Sequence, residues 1–216
     1  MILRDLGRLE YREAWARQEQ AHDQVADDGE EQLLLVEHPP VITFGRRPGG
    51  EKHLLASRDR LRELGIDLVE SDRGGEVTFH GPGQIVAYPI VRLIDHGLSV
   101  GAYVRRLEDV VISTLAKFGI AGRKDDSAIG VWVQDGDSLA KICALGVRIR
   151  KGISLHGIAL NVETDLTFFQ LIIPCGLASR PVTSIRKLLG GQTPSVAQVR
   201  EVLAEEMRRA FVTTSI

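Results

Sequence analysis

Residues 128–162 constrain the fold most, because their pattern is that of a strand meander. The segments VWVQ (131–134) and SLAKICAL (138–145) flank Asp135-Gly136-Asp137, while VRIR (147–150) and ISLHGIALNV (153–162) flank Lys151-Gly152. A glycine step between alternating apolar runs is a hairpin signal, since glycine admits the positive φ of tight hairpin turns. Strands joined this way bury a face that other elements must cover. Helical patterns supply the cover. Val100, Tyr103, Val104, Leu107, Val110, Val111, Leu115 and Phe118 recur at three- and four-residue steps, so 99–118 reads as a helix with one apolar stripe. Residues 10–26 read as a second helix, with Trp15, Gln18 and His22 along one face. A third is opened by Thr193-Pro194, with proline at its first position and Val196, Val199, Leu203, Met207 and Phe211 as its apolar face. Shorter strands are expected at 32–36, 41–44, 66–70, 76–79 and 85–93, and a short helix at 54–64. The sum is an α+β fold, a mixed or antiparallel β-sheet with flanking helices.

With 216 residues, 44% of them hydrophobic, the chain fits one domain over 1–216. A net charge of −2 lacks the basic excess of a nucleic-acid protein. No apolar run approaches the roughly 18 residues of a bilayer span. The N-terminus MILRDLGRLEYREAW mixes charges with apolar residues and is no signal peptide, so a cytoplasmic, reducing location is expected. The histidines at 38, 53, 80, 96 and 156 show no zinc-ligand spacing, and there is no Walker A pattern, so neither metal nor cofactor is expected.

The stretch from Lys141 to Gly176 holds both cysteines, Cys143 and Cys175. Cys175 lies between Pro174 and Gly176 after the apolar run Leu171-Ile172-Ile173, so it is expected at a bend, as a reachable thiol or as a packed turn cysteine. That run is expected to lie in the same sheet as Lys141. Cys143 sits inside an apolar stretch, where cysteine usually behaves as a small hydrophobe. Residues two apart on a strand share a face, which puts Lys141 and Cys143 on the same side. An ammonium close to a thiol favours the thiolate, and a Cys–Lys pair suits acyl transfer from a thioester to an amine without ATP or metal. The backbone around Gly146 and Gly157 offers N–H donors to an oxyanion. In Arg73 to Gln84 (RGGEVTFHGPGQ), glycines let a ligand approach the main chain or simply make two tight turns. Arg148, Arg150 and Lys151 read as a solvated hairpin face or as a landing patch for an acidic partner.

The stretch 73–84 resembles the RGG-x-x-T-aromatic-HGPGQ signature of the bacterial lipoyl(octanoyl) transferases, whose fold is that of the biotin and lipoate protein ligase catalytic domain. Further matches follow in order: EHPPVITFGR (37–46), GVWV (130–133), KICALG (141–146), HGIALN (156–161), PCG (174–176) and VTS (182–184). The resemblance covers most of the chain to residue 190. It implies that an octanoyl group moves from octanoyl-acyl carrier protein to a lysine ε-amine of lipoyl domains, those of 2-oxoacid dehydrogenase complexes and of the glycine cleavage H protein. By the same resemblance Cys175 carries the acyl group as a thioester and Lys141 lowers that thiol's pKa. The implied acyl pocket comprises Arg73, Gly74, Gly75, Glu76, Val77, Thr78, Phe79 and His80, with Ala144, Leu145, Gly146, Gly157, Ile158 and Ala159. Phe79 stands where Tyr or Trp is usual and Ile158 where Phe is usual, which bears on chain-length preference. An ATP-dependent ligase of the same fold would need no cysteine at 175, and a non-catalytic carrier-binding module would need neither Lys141 nor Cys175. A transferase working between two lipoyl-bearing proteins is a closer variant.

Overall fold

The computed structural model describes residues 1–173 and 180–212. In chain order the elements are β1 (Ile2–Arg8), α1 (Tyr11–Ala26), β2 (Gln32–Glu37), β3 (Val41–Phe44), α2 (Arg58–Glu63), β4 (Asp67–Glu70), β5 (Val77–His80), β6 (Gln84–Ile90), α3 (Val100–Ala116), β7 (Val131–Asp135), β8 (Ser138–Arg150), β9 (Ile153–Asn161), α4 (Ile185–Leu189) and α5 (Val196–Ala210). Six strands form one sheet in the order β1-β2-β6-β9-β8-β7, and β4-β3-β5 form a smaller one. β1 runs parallel to β2 and β4 parallel to β3; the remaining pairs are antiparallel. This is the α+β architecture with a mixed sheet that the pattern predicts.

The helices divide the core. α3 and α5 cover one face of the large sheet, where Leu107, Leu115, Leu203 and Met207 pack on Ile85, Val131, Ile142 and Leu160. Full burial of each such side chain contributes roughly 1.5–3 kcal/mol. α1 covers the other face through Ala14, Ala21 and Val25, against Leu34, Val86 and Leu155. The small sheet packs Ile42, Val77 and Phe79 on Leu61, Ile66 and Ile172.

Several boundaries differ from expectation. The 138–145 and 147–150 segments are one strand, because β9 pairs with β8 without interruption from Cys143 to Arg150. α5 begins two residues later than its proline suggests: Ser195 is the N-cap and forms a capping box with Gln198, leaving Pro194 outside. α2 is shorter than 54–64, because Ser57 caps it by accepting the Arg60 N–H. Leu171-Ile172-Ile173 does not join the large sheet: Ile172 forms an isolated bridge to Leu54, and the Ile173 N–H donates to the His53 carbonyl at 2.8 Å. β1 was not legible as a strand; its charged residues suit an edge that water reaches.

Candidate active site

Lys141 enters the site through an irregularity in β8. Val131 pairs with Cys143 but Trp132 pairs with Lys141, so Ile142 is an extra residue on β8. A bulge of this kind breaks the alternation of faces. Ile142 and Cys143 both enter the core under α3 and α5, whereas Lys141 joins Trp132 and Ala144 around a pocket. The expectation that Lys141 and Cys143 share a face is therefore corrected. Cys143 is buried, and burial pushes its thiol pKa far up, as for an inert core thiol. The Lys141 Nζ donates to the Ile129 carbonyl at 3.0 Å and lies 4.7 Å from the Trp132 ring centroid. Arg180 covers that ring at 4.8 Å and is tied to Asp125 at 2.6 Å. The backbone of Lys141 is clamped from the side: its N–H donates to the Pro181 carbonyl and its carbonyl accepts from Thr183, each at 2.9 Å.

Thr78, Ala144 and Ala159 are common to this pocket and a second, which continues past Gly146 and Gly157 to Tyr11, His80, Tyr88 and His156. Each spans about 450–460 Å³ of space between atoms, part of it open to solvent. Of the residues singled out from sequence, Arg73, Gly75, Thr78, His80, Ala144, Leu145, Gly146, Gly157, Ile158 and Ala159 line this continuous slot. Val77 and Phe79 do not. β5 turns them the other way, and Phe79 stacks on Phe168 with ring centroids 4.9 Å apart. Gly74 and Glu76 serve the turn: the Gly74 N–H donates to the Val147 carbonyl at 3.1 Å, and the Glu76 carboxylate accepts from Arg47 at 3.3 Å. Arg73 holds this turn from inside, donating to the Thr43 carbonyl at 2.6 Å and the Glu76 carbonyl at 2.9 Å. The close approach that these glycines allow is between main chains. A Cβ on Gly74 would stand 2.8 Å from the Val147 carbonyl oxygen, and one on Gly157 would stand 2.1 Å from that of Ala87.

A buried relay links slot and clamp. The Gln84 Nε2 donates to Asn161 Oδ1 at 2.8 Å, so Gln84 Oε1 accepts from His80 Nδ1 at 2.8 Å; Asn161 Nδ2 donates to the Thr183 carbonyl at 3.1 Å. His80 is neutral, its pKa pushed well below the usual value by burial, with His38 and Arg73 adding to it. Burial also lowers His38 to about 4, between the Leu9 carbonyl and the Tyr88 hydroxyl. His156 Nε2 lies 2.6 Å from Asp72, yet burial, reinforced by Arg73, lowers its pKa to about 3. Asp72 is paired with Arg148, and the neutral imidazole donates to it. Tyr11, His38, Gln84, Tyr88, Trp132 and Asn161 escaped the reading of the sequence. Gln84 and Asn161 end two of its motifs and His38 and Trp132 lie inside two others, which was the available signal; Tyr11 and Tyr88 fall outside every motif and are too far apart to be found by spacing.

Cys175 lies outside the described residues, which resume at Arg180 beside the clamp. Among the described residues no group of three His, Cys, Asp or Glu side chains could hold a metal ion.

The fold is the one shared by lipoate and biotin ligases. A bipartite lipoate protein ligase from Thermoplasma acidophilum superposes with a TM-score of 0.73 at 18% identity, over 97% of this chain and 82% of that one. The biotin protein ligase of Aquifex aeolicus gives 0.56 at 12% identity, over 97% and 69%. In sequence, residues 10–208 match the lipoyl protein ligase A/B catalytic domain. An octanoyltransferase from Chloroflexus aurantiacus is 47% identical over 212 residues, covering 95% of this chain and 92% of the relative. One from Nitratidesulfovibrio vulgaris is 42% identical over 216 residues, covering 100% and 97%. The chain belongs to the lipoyl protein ligase A/B catalytic family and, within it, to the octanoyltransferases.

Proposed function

We propose that this chain, acting as one catalytic domain, transfers an octanoyl group from octanoyl-acyl carrier protein to a lysine ε-amine of a lipoyl domain. The reading rests on Lys141, whose ammonium stands at one end of a narrow slot of largely apolar lining. The names of the relatives support it. In the first half-reaction the Cys175 thiolate attacks the thioester carbonyl; the carrier's C–S bond breaks and its sulfur takes a proton. In the second, the lysine amine attacks the Cys175 thioester; the amide forms, Cys175 leaves as thiolate, and the amine's proton passes to a base. Lys141 stabilises the thiolate in the first step and exchanges the proton in both. Each bond exchanged is already activated, so neither ATP nor metal enters the scheme.

Incubation with octanoyl-carrier protein alone, without nucleotide or divalent metal, should add one octanoyl mass to the enzyme. Hydroxylamine should remove that mass, and Cys175→Ala should never acquire it. Initial rates against both substrates should give parallel double-reciprocal lines. Intersecting lines with no trapped acyl-enzyme would mean direct transfer, and an absolute need for ATP with free octanoate would mean a ligase.

A further inference from the structure

Lys141 also borders a second concavity, an open groove of about 1100 Å³ that follows β8 from Lys141 past Leu145 to Val147. At about 3.3 Å per residue, the six steps from Lys141 to Val147 span roughly 20 Å. The far end is fixed by the turn at Gly74 and Gly75, to which Arg47 is tied: its N–H donates to the Gly75 carbonyl at 3.2 Å. Lys141 and Arg47 are the cations of the lining, and no carboxylate lines the groove among the described residues. The Arg47 side chain is 67% exposed and meets Glu76 at 3.3 Å, which leaves most of its five N–H donors open to a ligand. Apolar Ile129 and Val100 form the rim, 59% and 51% exposed. β7 pairs with β8 only through Cys143, so among the described residues no strand flanks the outer edge of β8 beyond it. That edge already accepts one outside donor, the Gly74 N–H at Val147.

We infer that this groove seats the prosthetic arm of the acyl donor, with the thioester at Lys141 and a phosphodiester on Arg47. The inference rests on the thioester-donor reading above. A phosphopantetheine arm places a thioester and an anionic phosphate at its two ends and two amides between them. The groove presents a cation at each end and an open strand edge between, to which amides can add as a β-strand does. Arginine suits the phosphate, because its planar fork binds two oxygens at once.

The test measures acylation of the enzyme by octanoyl-carrier protein in the presence of free 4′-phosphopantetheine or free pantetheine. Phosphopantetheine should inhibit competitively and more strongly than pantetheine, by about five- to tenfold, as expected for a charge-assisted contact at an exposed site. Arg47→Gln should abolish that difference and raise KM for octanoyl-carrier protein by a similar factor, with kcat and the KM of the apo lipoyl domain unchanged. Val100→Glu adds an anion at the rim on the first turn of α3, where an acidic residue does not oppose folding. It should raise the same KM. Equal inhibition by the two arms, no inhibition by either, or a KM change confined to the lipoyl domain would overturn the assignment. If wild-type enzyme is not acylated by octanoyl-carrier protein at all, it is the thioester-donor reading that falls.

Discussion

Lys141 is held by contacts of three kinds: a carbonyl at 3.0 Å, an aromatic face, and a main-chain clamp. An ammonium fixed in this way keeps its charge at one place, so its effect on a neighbouring thiol depends on that place being kept. Iodoacetamide should label Cys175 well before Cys143, whose buried thiol stays protonated. Lys141→Ala should slow labelling of Cys175 near neutral pH and restore it as pH rises toward the free thiol's value of about 8.5. Peptide mapping at several pH values decides this, and an unchanged profile would remove lysine as the activating group. Gly157 offers a packing counterpart. A methyl there would meet the Ala87 carbonyl in the next strand, so Gly157→Ala should cost about 3 kcal/mol or more by denaturant melt, at the upper end for overpacking. Gly191→Ala, where a Cβ meets nothing within 4 Å, should be close to neutral.

β8 and β9 carry the site because both present small residues to the slot while their other faces build the core. Asn161 ends β9 and ties it to the clamp beside Lys141. Asn161→Ala would strand one of the two Gln84 Nε2 hydrogens, the other still reaching the Phe79 carbonyl, and the Thr183 carbonyl, buried groups worth about 1–3 kcal/mol each when unpaired. The clamp should loosen, lowering kcat about tenfold with little change in KM. Asn161→Asp should do the same, since a carboxylate can still accept from Gln84 but cannot donate to Thr183. Steady-state kinetics beside thermal melts separates this from general destabilisation: a loss shared equally by kcat and stability in a Gln84-independent way would count against the relay. The meander, the three long helices and the slot's glycines were legible in the sequence, because hairpin steps and 3.6-residue stripes are local signals. The facing of Lys141 was not, since alternation along KICALG predicts the wrong side once Ile142 is inserted into the ladder. Nor was β1, whose adjacent Arg4 and Asp5 break any apolar alternation, nor the turn of Val77 and Phe79 away from the slot into the small sheet's core, which depends on how the small sheet stands beside the large one.

Across the whole molecule, a buried polar layer lies between the slot and α1, built from His38, His80 and His156 with Tyr11 and Tyr88. All three imidazoles are neutral in the folded protein, with pKa values held below 6.5 by burial. In the unfolded chain each takes up a proton as pH falls through about 6.5. The unfolded state then binds more protons than the folded one, so acidification from about pH 6.5 downward must destabilise the fold. For His38, with a folded value of about 4, the loss reaches ~3 kcal/mol by pH 4. Asp125, lowered to about 2 chiefly by its hydrogen bonds from Ser127, acts in the same direction in a lower window, since its contribution is lost only as pH falls below about 4. Stability from urea melts should therefore stay level from pH 8 to 7 and drop steeply between pH 6 and 4.5, toward a difference of three bound protons. Replacing His38 with Gln should make that slope shallower by about one proton even if it lowers stability at pH 8. A level profile down to pH 4.5 would mean that these imidazoles reach solvent, and the tautomers assigned to His80 and to its relay would no longer follow.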